Sequence, residues 1–280
     1  MAERTLPTGT YLDGLVAGAH RRAAEAAARE PLRDLASRAA DAPQAPSFEE
    51  ALRAPGVSLI AEVKRASPSK GPIAPHLDAW AQAAAYRDGG AAAVSVLTEP
   101  DAFDGSLTDL ADVAALGVPA LRKDFLVDPY QVWEARAAGA SAVLLIVAAL
   151  DARQLAALHT EAGDAGLDVL VEVHDDAELE VAAALGAAII GVNARDLRTF
   201  DLDRDGFARL RSLLPDGALA VSESGVRDAA DVRRAAADGA DAVLVGETLV
   251  RAADPRSAAA ELVAAGVDAV DRPPAEEHPA

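Results

Sequence analysis

Lysine is rare in this chain, and its position is therefore informative about chemistry. Of the 26 basic residues only Lys64, Lys70 and Lys123 are lysines, and the rest are arginines. A lysine ammonium is compact and shifts its pKa readily when buried, whereas a guanidinium stays charged. A chain that uses arginine for nearly every other cation marks its lysines as candidates for proton transfer or anion binding.

Polar residues stand at the ends of several predicted strands. The run VSLIAEVK places Glu62 and Lys64 on one side of a strand. Lys123 lies between Arg122 and Asp124, an ion pair that we expect to hold Lys123 inward. Other predicted strands lead into Glu172, into Asn193 (the only asparagine) with Arg195, and into Glu223 with Ser224. Glu62 and Lys64 alone could form a structural ion pair, but the whole set predicts one catalytic cluster.

The elements that would position these residues form a repeating pattern. Four segments, GAAAVSV, GASAVLLI, GAAIIGV and GADAVLVG, follow Ala-rich helical stretches at intervals of about 50 residues. Between them lie the runs VSLIAEVK, VPALRKD, LDVLVEV and ALAVSES. Eight strands that alternate with helices predict a parallel α/β fold, a (β/α)8 TIM barrel. An open doubly wound sheet is the alternative, but the Gly-rich turn expected after its first strand is absent.

The predicted barrel spans residues 57–266. Residues 1–56 form an N-terminal helical extension packed on the barrel, because they are too few to bury a core of their own. Residues 267–280 are rich in Pro and Glu, which predicts a disordered tail. The predicted helices of the extension are Tyr11–Glu30, Leu32–Ala39 and Ser47–Leu52.

Composition limits the class of partner. The formal net charge of −19 excludes a general attraction to nucleic acid or to an anionic membrane, although a local cationic pocket could still bind an anion. The chain has no cysteine, which excludes disulfides, thiolate nucleophiles and Cys-ligated metals. No signal core or long apolar run is present. We therefore expect a cytoplasmic protein that is a monomer or a weak homodimer.

Two predicted loops at the end of the barrel suit a phosphate group. Ser224 and Gly225 follow the seventh strand, and Gly246 and Glu247 follow the eighth. TIM barrels often bind phosphate there through backbone N–H groups and a short helix. Together with the cation of Lys64, these loops predict a phosphorylated small molecule as the substrate.

The polar segments in combination resemble one known family. LIAEVKRASPSKGPI, LRKDFLVDPYQVWEARAAGASAVLLIVAAL, VEVHDDAEL, GVNARDLRTFDLD and VSESGV are similar, in order through the barrel, to indole-3-glycerol phosphate synthase of tryptophan biosynthesis. The resemblance implies a carboxy-lyase that converts 1-(2-carboxyphenylamino)-1-deoxyribulose 5-phosphate into indole-3-glycerol phosphate, CO2 and water. It implies neither a metal nor an organic cofactor.

The resemblance also implies roles for catalytic residues. Lys123 would be the acid for ring closure, and Lys64 with Glu62 would serve later acid–base and positioning roles. Glu172 would be a base or acid in dehydration, and Asn193 would bind a substrate hydroxyl. The sequence leaves open which lysine acts at which step.

Further residues would bind the substrate. Arg195 resembles the family's anthranilate-side arginine, with Glu223 as a polar partner. Ser67 and Lys70 lie in a loop whose Pro, Gly and Ser content suits a mobile lid. The phosphate would be received by Ser224, Gly225, Gly246 and Glu247, with Lys64 adding charge. The carboxylate of Glu247 should then point away from the phosphate.

Two other functions fit part of this pattern. One is another phosphate-binding barrel enzyme, but the isomerase one step earlier in the pathway generally uses a cysteine, and a Schiff-base aldolase needs only one buried lysine. A barrel that serves only as a binding protein or scaffold is the non-enzyme alternative. The intact set of Glu62, Lys64, Lys123, Glu172 and Asn193 argues against it.

Overall fold

Eight parallel strands close into a barrel in the computed structural model, which describes residues 10–196 and 200–269. The strands are β1 Ser58–Val63, β2 Ala93–Leu97, β3 Ala120–Lys123, β4 Ala142–Ile146, β5 Asp168–Val173, β6 Ile189–Asn193, β7 Leu219–Glu223 and β8 Ala242–Val245. Each strand pairs with the next, and β1 pairs with both β2 and β8. The predicted TIM barrel is confirmed, and every predicted strand is present.

The register of the strands brings polar residues to neighbouring positions near the carboxyl ends. Glu172 on β5 is level with Gly191 on β6, and Asn193 on β6 is level with Glu223 on β7. Below them the strands bury Ala, Val, Leu and Ile on both faces, as expected for a parallel barrel. The carboxyl ends of the strands therefore place these polar side chains around one opening.

Three helices precede the barrel: α1 Tyr11–Arg29, α2 Leu32–Asp41 and α3 Phe48–Leu52. Arg22 of α1 makes ion pairs with Glu99 (Nη1–Oε1, 2.9 Å) and Asp124 (Nη2–Oδ1, 3.3 Å). The Asp168 carboxylate at the start of β5 accepts hydrogen bonds from two backbone N–H groups that begin α3. Polar contacts therefore attach these helices to both ends of the barrel.

The remaining helices lie outside the strands: α4 Ala79–Asp88, α5 Pro100–Phe103, α6 Leu107–Ala114, α7 Pro129–Ala137, α8 Ala152–Asp164, α9 Asp176–Leu185, α10 Gly206–Arg211, α11 Ala229–Ala237, α12 Glu247–Val250 and α13 Pro255–Asp268. A short 3-10 helix spans Val147–Ala149, and two-residue strands Ala66–Ser67 and Gly71–Pro72 form a hairpin after β1. Helix α13 continues to Asp268, two residues into the predicted tail, and residues 270–280 lie outside the described part. None of the helices in the described residues is both long and apolar enough to cross a membrane.

Candidate active site

A cavity of about 500 Å³ opens at the carboxyl ends of the strands. Every residue that the sequence analysis assigned to the site lines this cavity, including Ser67 and Lys70 of the loop after β1. This position is where TIM barrels carry their active sites, because the loops after the strands vary without disturbing the core.

Lys123 lies at the centre of three buried carboxylates. Its Nζ is 3.2 Å from Glu223 Oε2, 3.5 Å from Glu172 Oε2 and 3.9 Å from Glu62 Oε2. Burial alone would lower the pKa of the Lys123 ammonium, but the charges of these carboxylates outweigh it and raise that pKa. Lys123 is therefore a protonated group, able to act as an acid.

The neighbours of Lys123 fix the direction of its side chain. Arg122 and Asp124 form a buried ion pair (Nη2–Oδ2, 3.1 Å), which agrees with the expectation from the sequence. Arg122 also donates to the carbonyl of Gln131, and Thr98 donates to Asp124 over 2.8 Å. Because both flanking side chains are held on the outer side of β3, strand alternation directs Lys123 inward.

Glu62 and Lys64 form an ion pair beside β8. Lys64 Nζ lies 2.9 Å from Glu62 Oε1. Burial raises the pKa of Glu62, but the charges of Lys64 and Lys123 outweigh it and hold the pKa below its usual value. A Cβ atom on Gly246 would lie 2.5 Å from Glu62 Oε1 and 3.2 Å from Lys64 Nζ. The absent side chain at residue 246 thus makes room for the ion pair.

A methyl group at residue 246 is expected to disturb this pair. Gly246→Ala should lower kcat/KM by about tenfold, because displacements of well under 1 Å already affect reacting groups. Steady-state kinetics would measure the loss. Gly163→Ala on α8 is the matched control, because its Cβ would enter open space. Unchanged kcat/KM in Gly246→Ala would show that the ion pair tolerates displacement.

Asn193 connects Glu172 to the loop after β7. Its Nδ2 donates to Glu172 Oε1 (3.1 Å), and its Oδ1 accepts from Ser224 Oγ (2.8 Å) and from the backbone N–H of Arg195 (3.0 Å). Ser224 has a φ of 66°, a left-handed conformation that is uncommon outside glycine. The Asn193 amide is therefore fixed in one orientation, with its NH2 group toward the carboxylate.

Glu172 and Glu223 differ in their charge state. Burial, together with the charges of Glu172 and Glu62, raises the pKa of Glu223 to about 8 despite the nearby Lys123. Burial also raises the pKa of Glu172, but Lys123, His174 and the hydrogen bond from Asn193 outweigh it and lower that pKa. At neutral pH the pair therefore holds one acid and one carboxylate, the arrangement that acid–base catalysis needs.

The space for Glu223 depends on a glycine that the sequence analysis did not single out. A Cβ atom on Gly191 of β6 would overlap with Glu223 Oε1. Gly191 stands inside the strand segment IIGVN, where no turn requires a glycine. A glycine in the interior of a buried strand is a signal of close approach that could have identified it.

The state of Glu223 predicts how activity depends on pH. Glu223 is neutral below its pKa and ionises above it, and the added negative charge makes the Lys123 ammonium a weaker acid. We expect kcat of the wild type to fall above about pH 8. Glu223→Gln cannot ionise, so this alkaline fall should disappear.

The profile of kcat against pH would measure this difference. Glu180→Gln, on the exposed side of α9, is the control for loss of a carboxylate. If kcat of Glu223→Gln fell in the same way at alkaline pH, the fall would result from ionisation of another group.

The loops after β7 and β8 also line the cavity. Gly225 has a φ of 83°, which favours glycine. Glu247 begins the short helix α12, and its Oε1 lies 3.2 Å from Arg251 Nε. The carboxylate of Glu247 is therefore paired with an arginine one turn further along the helix. Arg227 and Arg251 also line the cavity, so its rim carries positive charge.

An aromatic wall was missed by the sequence analysis. Phe103 and Phe125 lie with ring centroids 6.4 Å apart, and Tyr11 of α1 contacts Phe200 edge-on at 5.5 Å. All four rings line the cavity, and Arg195 donates to the Phe200 carbonyl. Aromatic residues make up only 4% of the chain, so their scarcity was a signal of the same kind as the scarcity of lysine.

The site offers hydrogen-bond donors and acids rather than a metal centre. In residues 10–196 and 200–269, no group of three or more His, Asp or Glu side chains is arranged to hold a metal ion. The cluster instead combines two ammonium groups with three carboxyl groups and an amide. Such a set can protonate an oxygen, remove a proton and bind an anion.

Comparison with known proteins identifies one family over most of the chain. The sequence pattern of the indole-3-glycerol phosphate synthase family matches residues 12–262. The indole-3-glycerol phosphate synthase of Mycobacteroides abscessus is 51% identical over 265 residues, which cover 93% of this chain and 96% of that protein. The enzyme of that name from Streptomyces griseus is 53% identical over 258 residues, covering 92% and 96%.

Solved structures add a likeness of fold. The structure of 3-hexulose-6-phosphate synthase from Salmonella typhimurium aligns with a TM-score of 0.61 at 17% identity, over 76% of this chain and 100% of that one. At this identity only the barrel is shared. The family match and the close relatives go further: this chain belongs to the indole-3-glycerol phosphate synthase family, the carboxy-lyases of tryptophan biosynthesis.

Proposed function

We propose that this chain closes the indole ring of its substrate with Lys123 as the acid. Family membership provides the reaction, in which 1-(2-carboxyphenylamino)-1-deoxyribulose 5-phosphate becomes indole-3-glycerol phosphate, CO2 and water. The observation that carries the assignment of Lys123 is its position among three buried carboxylates. Among the described residues, Lys64 has one carboxylate within this range, and it lies beside Gly246 at the proposed phosphate end.

The two ends of the cavity suit the two ends of the substrate. The phosphate would lie against the backbone of Gly225, Gly246 and Glu247, with Ser224 beside it and the Lys64 ammonium adding charge. The aromatic ring would lie against Phe103 and Phe125, where flat apolar surfaces favour stacking. Arg195, on the same side as Phe200, would face the anthranilate carboxylate. In this orientation the ketone would lie near Lys123.

Ring closure needs a proton at the ketone oxygen. As the aromatic carbon that bears the carboxylate attacks the ketone carbon, the electron pair of the C=O bond moves to oxygen. Lys123 would deliver its proton to that oxygen, which becomes a hydroxyl. Breaking the bond to the carboxylate then releases CO2 and restores the aromatic ring.

Dehydration needs both an acid and a base. The hydroxyl leaves as water after taking a proton, and a proton is removed from the neighbouring ring carbon, which forms the last double bond of indole. Glu172, held as a carboxylate by Lys123 and Asn193, would be the base. Lys64, with Glu62, would supply the proton to the departing hydroxyl, and Asn193 would orient a substrate hydroxyl. Ser67 and Lys70 would cover the bound substrate from the loop after β1.

A direct assay tests this function. Purified protein mixed with the carboxyphenylamino-deoxyribulose phosphate should generate the absorbance and fluorescence of an indole. No indole signal at micromolar enzyme would contradict the activity. Borohydride added during turnover should trap no covalent adduct, because the lysines act by proton transfer; a trapped adduct would instead support Schiff-base chemistry.

The remaining expectations concern the state of the protein in the cell. The substrate and product are phosphorylated metabolites, which are retained inside cells, and this supports a cytoplasmic site of action. We further expect the protein to be a monomer or a weak homodimer. Sedimentation velocity across protein concentrations would measure the oligomeric state.

A further inference from the structure

His174 is a buried side chain that the reaction above does not use. It follows β5, and its side chain is 11% exposed. The imidazole does not line the cavity, so it cannot touch the substrate directly. It nevertheless lies between two carboxylates, with Nδ1 3.0 Å from Glu178 Oε2 and Nε2 3.5 Å from Glu172 Oε1.

The position of the ring is fixed from its outer side. Glu178 Oε2 also accepts from the backbone N–H of His174 over 2.8 Å, so one carboxylate holds both the ring and its own main chain. Glu178 lies in the first turn of α9, where Asp175 caps the helix by accepting from the N–H of Glu178. With Nδ1 committed to Glu178, the other nitrogen points toward the catalytic carboxyl pair.

The environment of the other ring nitrogen, Nε2, favours the ionised form of Glu172. Among the described residues, His174 Nε2 is buried without a hydrogen-bond partner, although a carboxylate oxygen of Glu172 lies 3.5 Å away. Glu172 Oε1 already accepts from Asn193. A buried N–H beside an acceptor at this range favours the charged form of that acceptor through electrostatic attraction.

The two carboxyls of the site have unequal surroundings. Glu172 and Glu223 both approach Lys123, at 3.5 and 3.2 Å. Glu172 also accepts a hydrogen bond from Asn193 and lies 3.5 Å from His174 Nε2. Neither carboxyl oxygen of Glu223 has a hydrogen bond of good geometry within the described part of the chain. When two buried acids share one proton, differences in their surroundings determine which of them holds it.

We propose that His174 is a positioning residue that decides which carboxyl of the buried pair carries the proton, keeping Glu172 as the carboxylate and the proton on Glu223. This inference rests on the proposed role of Glu172 as the base. Without the imidazolium, the pair becomes more nearly equal, and Glu172 spends more time protonated. A protonated Glu172 cannot remove the proton that dehydration requires.

The charges around His174 set the pH range of this effect. Glu178 from α9, Glu172 from β5 and Glu223 from β7 are the acids that face it, and Lys123 at the end of β3 faces the same carboxyl pair. Burial lowers the pKa of His174, but these acids outweigh it and raise that pKa. The ring is therefore an imidazolium at low pH, where Glu172 is most exposed to protonation.

The primary test is the profile of kcat against pH for His174→Gln, which removes the charge. We expect the acidic limb to move up by about one pH unit, so that activity at pH values below both limbs falls about tenfold relative to the wild type. KM should stay within about twofold, because residue 174 does not line the cavity. His159→Gln on α8 is the matched control and should keep the wild-type profile.

Two results would overturn the proposal. One is an unchanged acidic limb in His174→Gln. The other is a loss of kcat that is equal at all pH values, because a merely structural role would reduce activity without moving the limb.

A second variant covers the case in which His174→Gln does not fold. Glu178→Gln keeps the ring but removes the carboxylate that raises its pKa. The acidic limb should move in the same direction by a smaller amount. An unchanged limb in Glu178→Gln, with the variant folded, would overturn the proposal.

Imidazole NMR gives a readout that does not require turnover. In protein labelled at histidine, Glu172→Gln should lower the pKa of His174 by about one unit, because it removes one of the facing charges. An unchanged His174 pKa would show that the two groups are not coupled and would overturn the proposal. Full turnover by Glu172→Gln would instead contradict the role of Glu172, so the two failures can be told apart.

Discussion

Lys123→Met is expected to lower kcat by about 10² or more, the usual scale for loss of a proton-transfer group. Methionine has a similar length but no proton to give, so the ketone oxygen would have to be protonated by solvent. The substitution also leaves Glu62, Glu172 and Glu223 without their central cation, so one of these carboxyls should take up a further proton. Turnover at saturating substrate, followed by indole fluorescence, would measure the loss.

Lys70→Met is the matched control for this variant. Lys70 also faces the cavity, but it lies in the exposed loop after β1, outside the carboxylate cluster. We expect a higher KM with kcat within about threefold of the wild type. Wild-type kcat in Lys123→Met would remove Lys123 from the mechanism and leave Lys64 as the acid.

The second large effect is expected for Lys64→Arg. The Lys64 ammonium lies 2.9 Å from Glu62 Oε1, and a Cβ on Gly246 would already approach both groups closely. A planar guanidinium is wider and far more basic, so it should displace Glu62 and cannot give up a proton in dehydration. We expect kcat/KM to fall by about 10², since small displacements of reacting groups are costly.

The same substitution at Lys70 separates charge from position. Lys70→Arg keeps the cation in an exposed loop and should change kcat/KM by less than about threefold. A comparable loss in both variants would contradict a special role for Lys64. Far-ultraviolet circular dichroism of each variant would check that the barrel is intact.

The barrel could be predicted because its signals are local. Most strands contain a β-branched run that follows a glycine or a helical stretch, and strand ends carry the ionisable residues. Lys123 and Glu172 stood out because a charged side chain on an apolar strand is costly to bury unless it is paired or belongs to a site. Their clustering follows from topology alone, since parallel strands bring their carboxyl ends to one side.

What the sequence could not provide depends on contacts between distant elements. Glu223 was predicted as a polar partner of the arginine, but its Oε2 lies 3.2 Å from Lys123 Nζ. Its raised pKa results from burial beside Glu172 and Glu62, which requires the closed barrel. The contribution of Tyr11 to the cavity depends on how α1 packs, and no periodicity within α1 indicates which turn reaches the mouth.

The attachment of α1 has a consequence for the order in which the enzyme becomes active during synthesis. Arg22 leaves the ribosome well before its partners Glu99 and Asp124, and Tyr11 long before Phe200. Helix α1 therefore cannot complete its side of the cavity until β6 and the loop that follows it have been synthesised. A ribosome stalled before that point would hold a chain with Lys123 already translated but no complete pocket, so turnover would report the arrival of the last strands rather than of the catalytic lysine.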